Sequence, residues 1–535
     1  MIKLDLIEFH DRVRETPAAT ALEYNGAILS YIDFQERINS LCLYLKKLNL
    51  TKEDRIAVLC YNSLDFCLIA YAALHIGLII VPIDPKSSGS FISNVFKDCS
   101  PKFTFIHKTI FDLHKTTFGG ILNKDSFIVL PDNIDDCYIS LKGIINNNKT
   151  TDPIEEPQLT EDDNAVILYT TGTTGSPKGI LLTHGNLAFA TTNICNVMQL
   201  RSSDKEVIFS PLSHSDGFAR LRCLLRVGGT VFLEKDFVRP ERILLKIKEK
   251  EITTFFAVPA CLRVLMGRFK KYIQEYCMSV RLVATGSAPF SIYEKKTILN
   301  LFNNSSFFMH YGLTESSRST FIDYRMTLDK LESVGVPAPN VKIRIWDHTL
   351  NRICSPLELG EIQIKSKGLL KEYWKRNKET KSIFQNNWFK TGDIGYFDED
   401  RYLYFHAREH LMINSGGMKF SPHEVEEALK KHPSIDNVAV IPEKDDILGE
   451  VGIAFIVLRE GEITTEKRLI NHCRTNLESN KIPKNFYIVD SIPISDSGKI
   501  KSNKLFDLIG DKNGWRRNKK IYSGCICSSF KYNKG

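Results

Sequence analysis

Apolar residues along this chain fall into short runs whose spacing switches repeatedly between two periods. Around 165–168, 207–209, 230–233, 254–258 and 281–284 the runs are nearly continuous, as in buried strands. Between them, residues 239–251 and 259–272 space their apolar positions three and four apart, each with a proline at or near its start. That pattern predicts amphipathic helices. Strand–helix alternation from about 160 to 310 predicts βαβ units and largely parallel sheets. A similar alternation occupies residues 29–135, with helices expected at 37–47 and 64–75 and a strand at 55–59. From about 341 to 405 the runs shorten and are broken by glycines and polar residues, predicting a small β-barrel-like lobe. A last unit begins near residue 411. It reads as helix 422–431, strands 437–441 and 453–457, helix 465–477 and strand 486–489, a compact α+β domain. No internal repeat interrupts this order.

The expected fold is therefore α/β, with two mostly parallel sheets and a β-rich lobe in a large N-terminal domain, 1–409, and a small α+β domain at 410–510. Residues 511–535 are basic and polar and are expected to form a flexible tail. A length of 535 residues fits two to four lobes. Composition changes this picture little: 43% hydrophobic and 25% charged residues describe an ordinary globular chain. The net charge of +8 suits a phosphate-rich ligand and does not by itself indicate nucleic acid. Thirteen scattered cysteines show no framework of spacings, so reduced thiols in a cytoplasmic protein are expected. Cys525 and Cys527 form a close pair that no second pair completes into a zinc site. The N-terminus lacks the apolar core of a signal peptide, and no apolar stretch is a clean bilayer span.

The candidate chemistry starts at Tyr169-Thr170-Thr171-Gly172-Thr173-Thr174-Gly175-Ser176-Pro177-Lys178-Gly179, directly after the apolar run 165–168. Glycines let a backbone approach an anion closely, successive N–H groups make an anion-binding concavity, and Lys178 adds a cation. The chemistry is that of a polyphosphate cradle. It misfits the Walker A pattern: Gly172 and Lys178 have the right offset, but Pro177 stands for a glycine and Gly179 for the magnesium-binding Ser/Thr.

This string closely resembles the phosphate-loop signature of the adenylate-forming superfamily, whose members include acyl-CoA synthetases, peptide-synthetase adenylation domains and firefly-luciferase-like enzymes. Five further segments carry the resemblance, which spans about residues 25 to 505. In Tyr311-Gly312-Leu313-Thr314-Glu315 it implies adenine stacking on Tyr311, a phosphate contact from Thr314 and a Mg²⁺ ligand in Glu315. A capped helix start is the plain local alternative for this segment. Gly286-Ser287-Ala288-Pro289 is expected to line the adenine and acyl sites, and a simple turn is equally consistent locally. In Trp388-Phe389-Lys390-Thr391-Gly392-Asp393 the resemblance assigns Asp393 to the ribose hydroxyls.

Residues 407–419 resemble the hinge into the C-terminal domain, which implies that this domain is mobile. Arg408 keeps its ribose or phosphate role, whereas Ala407 replaces the usual glycine and His410 the usual pivot residue. Ser415-Gly416-Gly417 resembles the loop that admits a pantetheine arm, with an ordinary glycine turn as the alternative. Pro493-Ile494-Ser495-Asp496-Ser497-Gly498-Lys499 resembles the catalytic-lysine motif, which assigns to Lys499 stabilisation of charge as pyrophosphate leaves.

Membership would imply two steps: a carboxylate attacks the ATP α-phosphate to give an acyl-adenylate, and a thiol then displaces AMP. The implied cofactors are ATP, Mg²⁺ and coenzyme A, or a carrier protein's phosphopantetheine acting in trans. A non-catalytic nucleotide-binding relative is the alternative of another class. The segment Pro211-Leu212-Ser213-His214-Ser215-Asp216-Gly217-Phe218 aligns with the region lining the acyl pocket in relatives. Amino-acid-activating members hold the substrate amine with an aspartate whose place falls on Ser215, with Asp216 one residue away. His214 is either a gate to the pocket or an ordinary loop histidine.

Overall fold

The structure is a computed structural model and describes residues 3–123, 126–130, 141–148, 150, 157–171, 177–408, 412–415, 418–445, 448–478, 481–494 and 500–509. The chain forms two compact units, residues 1–391 with 396–404 and residues 392–395 with 405–535.

Two large sheets organise the first unit. In the nine-stranded one, Ser306–Leu313, Leu282–Gly286, Thr254–Phe256, Lys205–Ile208, Thr230–Leu233 and Thr20–Tyr24 lie side by side and parallel. Ala27–Ser30 closes one edge in antiparallel fashion; at the other, Ser317–Asp323 and then Val336–Pro337 are added antiparallel. The seven-stranded sheet sets Arg55–Leu59, Ile79–Pro82, Phe103–His107, Phe127–Leu130 and Asn164–Thr171 parallel, then adds Pro177–Thr183 and Glu372–Tyr373 antiparallel. Helix Leu64–His75 packs against strands of both sheets, and ten of its twelve residues are buried. An apolar surface on every side is what a helix between two layers requires. Its start is fixed by Ser63, whose hydroxyl accepts from the Phe66 N–H.

The β-rich lobe expected from 341 to 405 is a six-stranded sheet of Lys342–Asp347, Arg352–Ile353, Gly360–Lys365, Phe384–Gln385, Trp388–Phe397 and Leu403–Arg408. In the second unit Ile435–Asp445 and Gly449–Leu458 form a long antiparallel pair, flanked by Ile413–Ser415 on one side and by Asn485–Ile488, parallel to Gly449–Leu458. Helix Pro422–Lys430 covers this sheet. Val425, Leu429, Val438 and Ile456 meet in one core, and Ala439, Phe455 and Leu505 in another.

One predicted helix is two. Residues 259–272 split into Pro259–Arg268 and Lys270–Tyr276 at Phe269, which turns its backbone out of the helix and buries its ring in the core of the nine-stranded sheet. The burial of one aromatic side chain overrides the helical spacing on either side.

Candidate active site

The expected phosphate cradle sits on a β-hairpin. Strands Asn164–Thr171 and Pro177–Thr183 pair with Thr170 opposite Lys178, and the expected phosphate residues Gly172, Thr173, Thr174 and Gly175 between them lie outside the described residues. Thr170 and Thr171 end the first strand. Gly179 has a packing reason of its own: a Cβ there would stand 2.9 Å from Ile167 and 3.0 Å from the Tyr169 ring. Lys178 Nζ lies 2.9 Å from Glu379 and 5.4 Å above the Tyr373 ring. The Tyr373 hydroxyl donates to Glu315 Oε1 at 2.9 Å, and the Leu370 N–H donates to the Glu315 carbonyl at 2.7 Å. Strand Glu372–Tyr373, paired to the hairpin, thereby joins Lys178 and Glu315 through a residue that their motifs do not contain. The Lys178 ammonium holds the Glu379 carboxyl below its ordinary range. Burial and the neighbouring Glu315 push the Tyr373 phenol up, so it stays a donor.

Thr314 and Glu315 occupy a turn between strands Ser306–Leu313 and Ser317–Asp323 and do not start a helix. The turn is closed by the Ser316 N–H on the Leu313 carbonyl and by the Ser316 hydroxyl accepting from the Leu313 N–H. Gly312 is needed there, because a Cβ would lie 1.7 Å from the Ser317 carbonyl oxygen. Tyr311 belongs to the strand itself and is largely buried.

The parallel strands of the nine-stranded sheet share one carboxyl end, the side on which open α/β sheets take ligands. Strand Leu282–Gly286 delivers Gly286, Ser287 and Ala288; strand Lys205–Ile208 feeds the loop to helix Ser215–Val227. Asn62 pins that loop, donating to the Ser210 carbonyl and accepting from the Leu212 N–H at 2.8 Å. His214 Nε2 lies 2.8 Å from Asp84 Oδ2, and although burial opposes it, the histidine holds the Asp84 carboxyl below its ordinary range. Ser215 opens the helix. Asp216 in its first turn accepts from the Ser287 hydroxyl at 2.7 Å and from Arg318 Nη2 at 2.9 Å, with His310 Nε2 at 3.6 Å. Burial works to raise the Asp216 carboxyl, but Arg318, His310 and Ser287 outweigh it and keep it ionised. Ser287 pays for its reach with a left-handed backbone, φ +71°.

In the second unit Asp393 is buried, with Arg408 Nε 3.2 Å from its Oδ1. Ala407 is buried in strand Leu403–Arg408, and His410 lies outside the described residues. Ser415 ends strand Ile413–Ser415, with the expected pantetheine-loop residues Gly416 and Gly417 outside the described residues. The expected catalytic Lys499 is outside them as well; Ile494 and Ile500 bridge on either side of its segment. Reasoning from sequence passed over Asp84, His310, Arg318, Tyr373 and Glu379. Each reaches the site from a separate strand, loop or helix, and only His310, directly before Tyr311, lay beside a motif.

Residues 9–374 match the family of AMP-binding enzymes, and residues 424–499 match the AMP-binding enzyme C-terminal domain. The 2-succinylbenzoate–CoA ligase of Bacillus licheniformis is 30% identical over 500 residues, with 92% of this chain and 98% of that protein covered. A feruloyl-CoA synthase of an Amycolatopsis species is 28% identical, covering 91% of this chain and 96% of its own. Among solved structures, the o-succinylbenzoate CoA synthetase of Bacillus subtilis in complex with its acyl-adenylate intermediate superposes with a TM-score of 0.82 at 26% identity, covering 94% of this chain and 98% of that one.

Proposed function

The chain belongs to the AMP-binding enzyme family, and from that premise we propose that it is an ATP-dependent acid–thiol ligase of the acyl-CoA synthetase type. It activates a carboxylic acid as an acyl-adenylate, releases pyrophosphate and transfers the acyl group to coenzyme A. The observation that carries this reading is that one chain holds both family segments, 9–374 and 424–499, and aligns over nearly the full length of an acid–CoA ligase.

The residue roles belong to the same proposal. Lys178 and the 170–175 segment grip the outer phosphates, Tyr311 with Gly286, Ser287, Ala288 and Gly312 receives the adenine, and Asp393 with Arg408 holds the ribose. Thr314 bonds a phosphate. Glu315 offers carboxylate oxygens suited to Mg²⁺, one of them already oriented by Tyr373. Bound Mg²⁺ supplies charge neutralisation to the triphosphate. Carboxylate and triphosphate repel each other, so the cations Lys178 and Lys499 lower the cost of their approach. Ser415, Gly416 and Gly417 pass the thiol arm, and His214, Ser215 and Asp216 face the acid. A cytoplasmic setting goes with this role: ten cysteines among the described residues are free thiols, eight of them buried. Among the described residues no helix is long and apolar enough to cross a membrane.

Carboxylate-dependent ATP–pyrophosphate exchange across a broad panel of acids tests the reading. Exchange with at least one acid, followed by thioester formation on CoA, is expected. Silence across the panel would leave a non-catalytic nucleotide-binding relative, and acyl transfer to a phosphopantetheinylated carrier protein with none to CoA would change the acceptor. Lys499→Ala should lower exchange by at least about a hundredfold, the scale of a lost electrostatic contact in a transition state. Wild-type exchange in that variant would remove Lys499 from the mechanism.

A further inference from the structure

Resting on the proposed acid-activating reaction, we infer that Arg318 and His310 select the acid. They form a polar end to the acyl pocket that takes a substrate bearing a second oxygen acceptor (a carboxylate, keto or hydroxyl oxygen) away from the reacting carboxyl.

Neither residue lies in the expected acyl-pocket segment, yet both converge on it at the strand ends. His310 is paired with Gly286 across two parallel strands, and its ring lies so close over that glycine that a Cβ there would stand 2.4 Å away. Arg318 follows on the next strand, opposite Gly312. Both are almost wholly buried, Arg318 6% and His310 4% exposed. Buried charge at the end of an acyl pocket is costly, and a pocket for a hydrocarbon chain gains nothing from it.

The hydrogen-bond inventory points the same way. Asp216 takes one Arg318 N–H, but Arg318 Nε finds no partner among the described residues, and neither does His310 Nδ1 or the hydroxyl of Ser213, three residues before Asp216. A guanidinium N–H can only donate, so what completes it must be an acceptor. An acceptor oxygen serves Arg318 Nε and the Ser213 hydroxyl, whereas His310 Nδ1, with the Nε2–H turned to Asp216, is itself an acceptor that an O–H on the substrate would complete. The same arrangement argues against an α-amino acid. Asp216, the carboxylate nearest the position that would hold an ammonium group, is already occupied by Arg318 and Ser287. Phe256, stacked with His310 at 5.7 Å between ring centroids, and Phe321 on the other side hold the imidazole in place.

The test is ATP–pyrophosphate exchange with matched acids: hexanoate against 5-oxohexanoate and adipate, and benzoate against 4-hydroxybenzoate and phthalate, with alanine and phenylalanine as amino-acid controls. The wild type is expected to favour the best oxygen-bearing member over its plain counterpart by about a hundredfold or more in kcat/KM, since a site built to bond an oxygen rejects the analogue that lacks it. Arg318→Met should cut that ratio at least about tenfold while exchange with the plain acid persists. Because this change strands Asp216, Asp216→Asn/Arg318→Met keeps the cluster neutral and should show the same collapse. Equal kcat/KM for plain and oxygen-bearing acids in the wild type would overturn the inference, as would an unchanged ratio in a folded variant or a preference for the amino acids. Absence of exchange with every acid would instead overturn the ligase reading on which it stands.

Discussion

Tyr373 shows what a motif leaves out. Glu315 is visible in the sequence because it ends Tyr311-Gly312-Leu313-Thr314-Glu315, but nothing near residue 373 marks that tyrosine as its partner. The contact exists because a two-residue strand adds to the edge of the hairpin and brings the phenol 2.9 Å from the carboxylate. Asp84 is equally silent in sequence, 130 residues before the His214 it holds. Motif glycines and acids were readable because their neighbours are local, whereas their positioning partners come from distant strands. Tyr373→Phe removes one hydroxyl and nothing else. Stability should change by about 1 kcal/mol or less, the net value of a part-buried hydrogen bond. The Mg²⁺ concentration giving half-maximal exchange should rise several-fold, because one carboxylate oxygen loses its orientation. An unchanged Mg²⁺ titration would show that Tyr373 merely packs.

Elements were the most legible scale. Strands Arg55–Leu59 and Thr230–Leu233 and helix Leu64–His75 run where their apolar patterns end, since caps and turns coincide with those ends. The break at Phe269 was not legible, because it depends on a core that the local sequence does not describe. Helix Pro422–Lys430 was legible in extent but carries an unexpected cost. Its Glu426 accepts from the Val440 N–H at 2.8 Å, and burial pushes the carboxyl up to about 7. A folded pKa above the unfolded one means that the folded state binds its proton more tightly. Stability from this group is therefore intact below about pH 4.5, falls as pH rises from there to 7, and is flat above. Glu426→Gln keeps an acceptor for Val440 and removes the charge. In urea unfolding of the full chain, the variant's advantage in the transition of the second unit should grow by about 1–3 kcal/mol between pH 5 and pH 8. A gap that does not move with pH would show that Glu426 is solvated in the folded state.

At the scale of the whole molecule, strand order hides the candidate site from the sequence. Neighbours in the nine-stranded sheet run 306–313, 282–286, 254–256, 205–208, 230–233 and 20–24, so their carboxyl ends bring together segments far apart in the chain. Helix Ser215–Val227 must then be fixed against that sheet, because Asp216 at its start meets Ser287 and Arg318 at the strand ends. Arg220, one turn further on and almost wholly buried, does this by a two-pronged grip on Glu206 of strand Lys205–Ile208. Its Nε donates to Oε1 at 2.7 Å and its Nη2 to Oε2, which also accepts from Thr254 at 2.8 Å. A buried pair of this kind adds little net stability over an apolar pair, but breaking it from one side strands a charge. Arg220→Met should therefore cost about 3–5 kcal/mol in unfolding of the first unit, whereas Glu206→Leu/Arg220→Met should recover most of that loss. The same pair of variants separates anchoring from chemistry. If Arg220 acts only by seating the helix, the double variant regains stability and keeps the wild-type preference among acids, since Arg318 and His310 are untouched. A double variant that is as stable as the wild type but has lost that preference would place Arg220 in the selection of the acid.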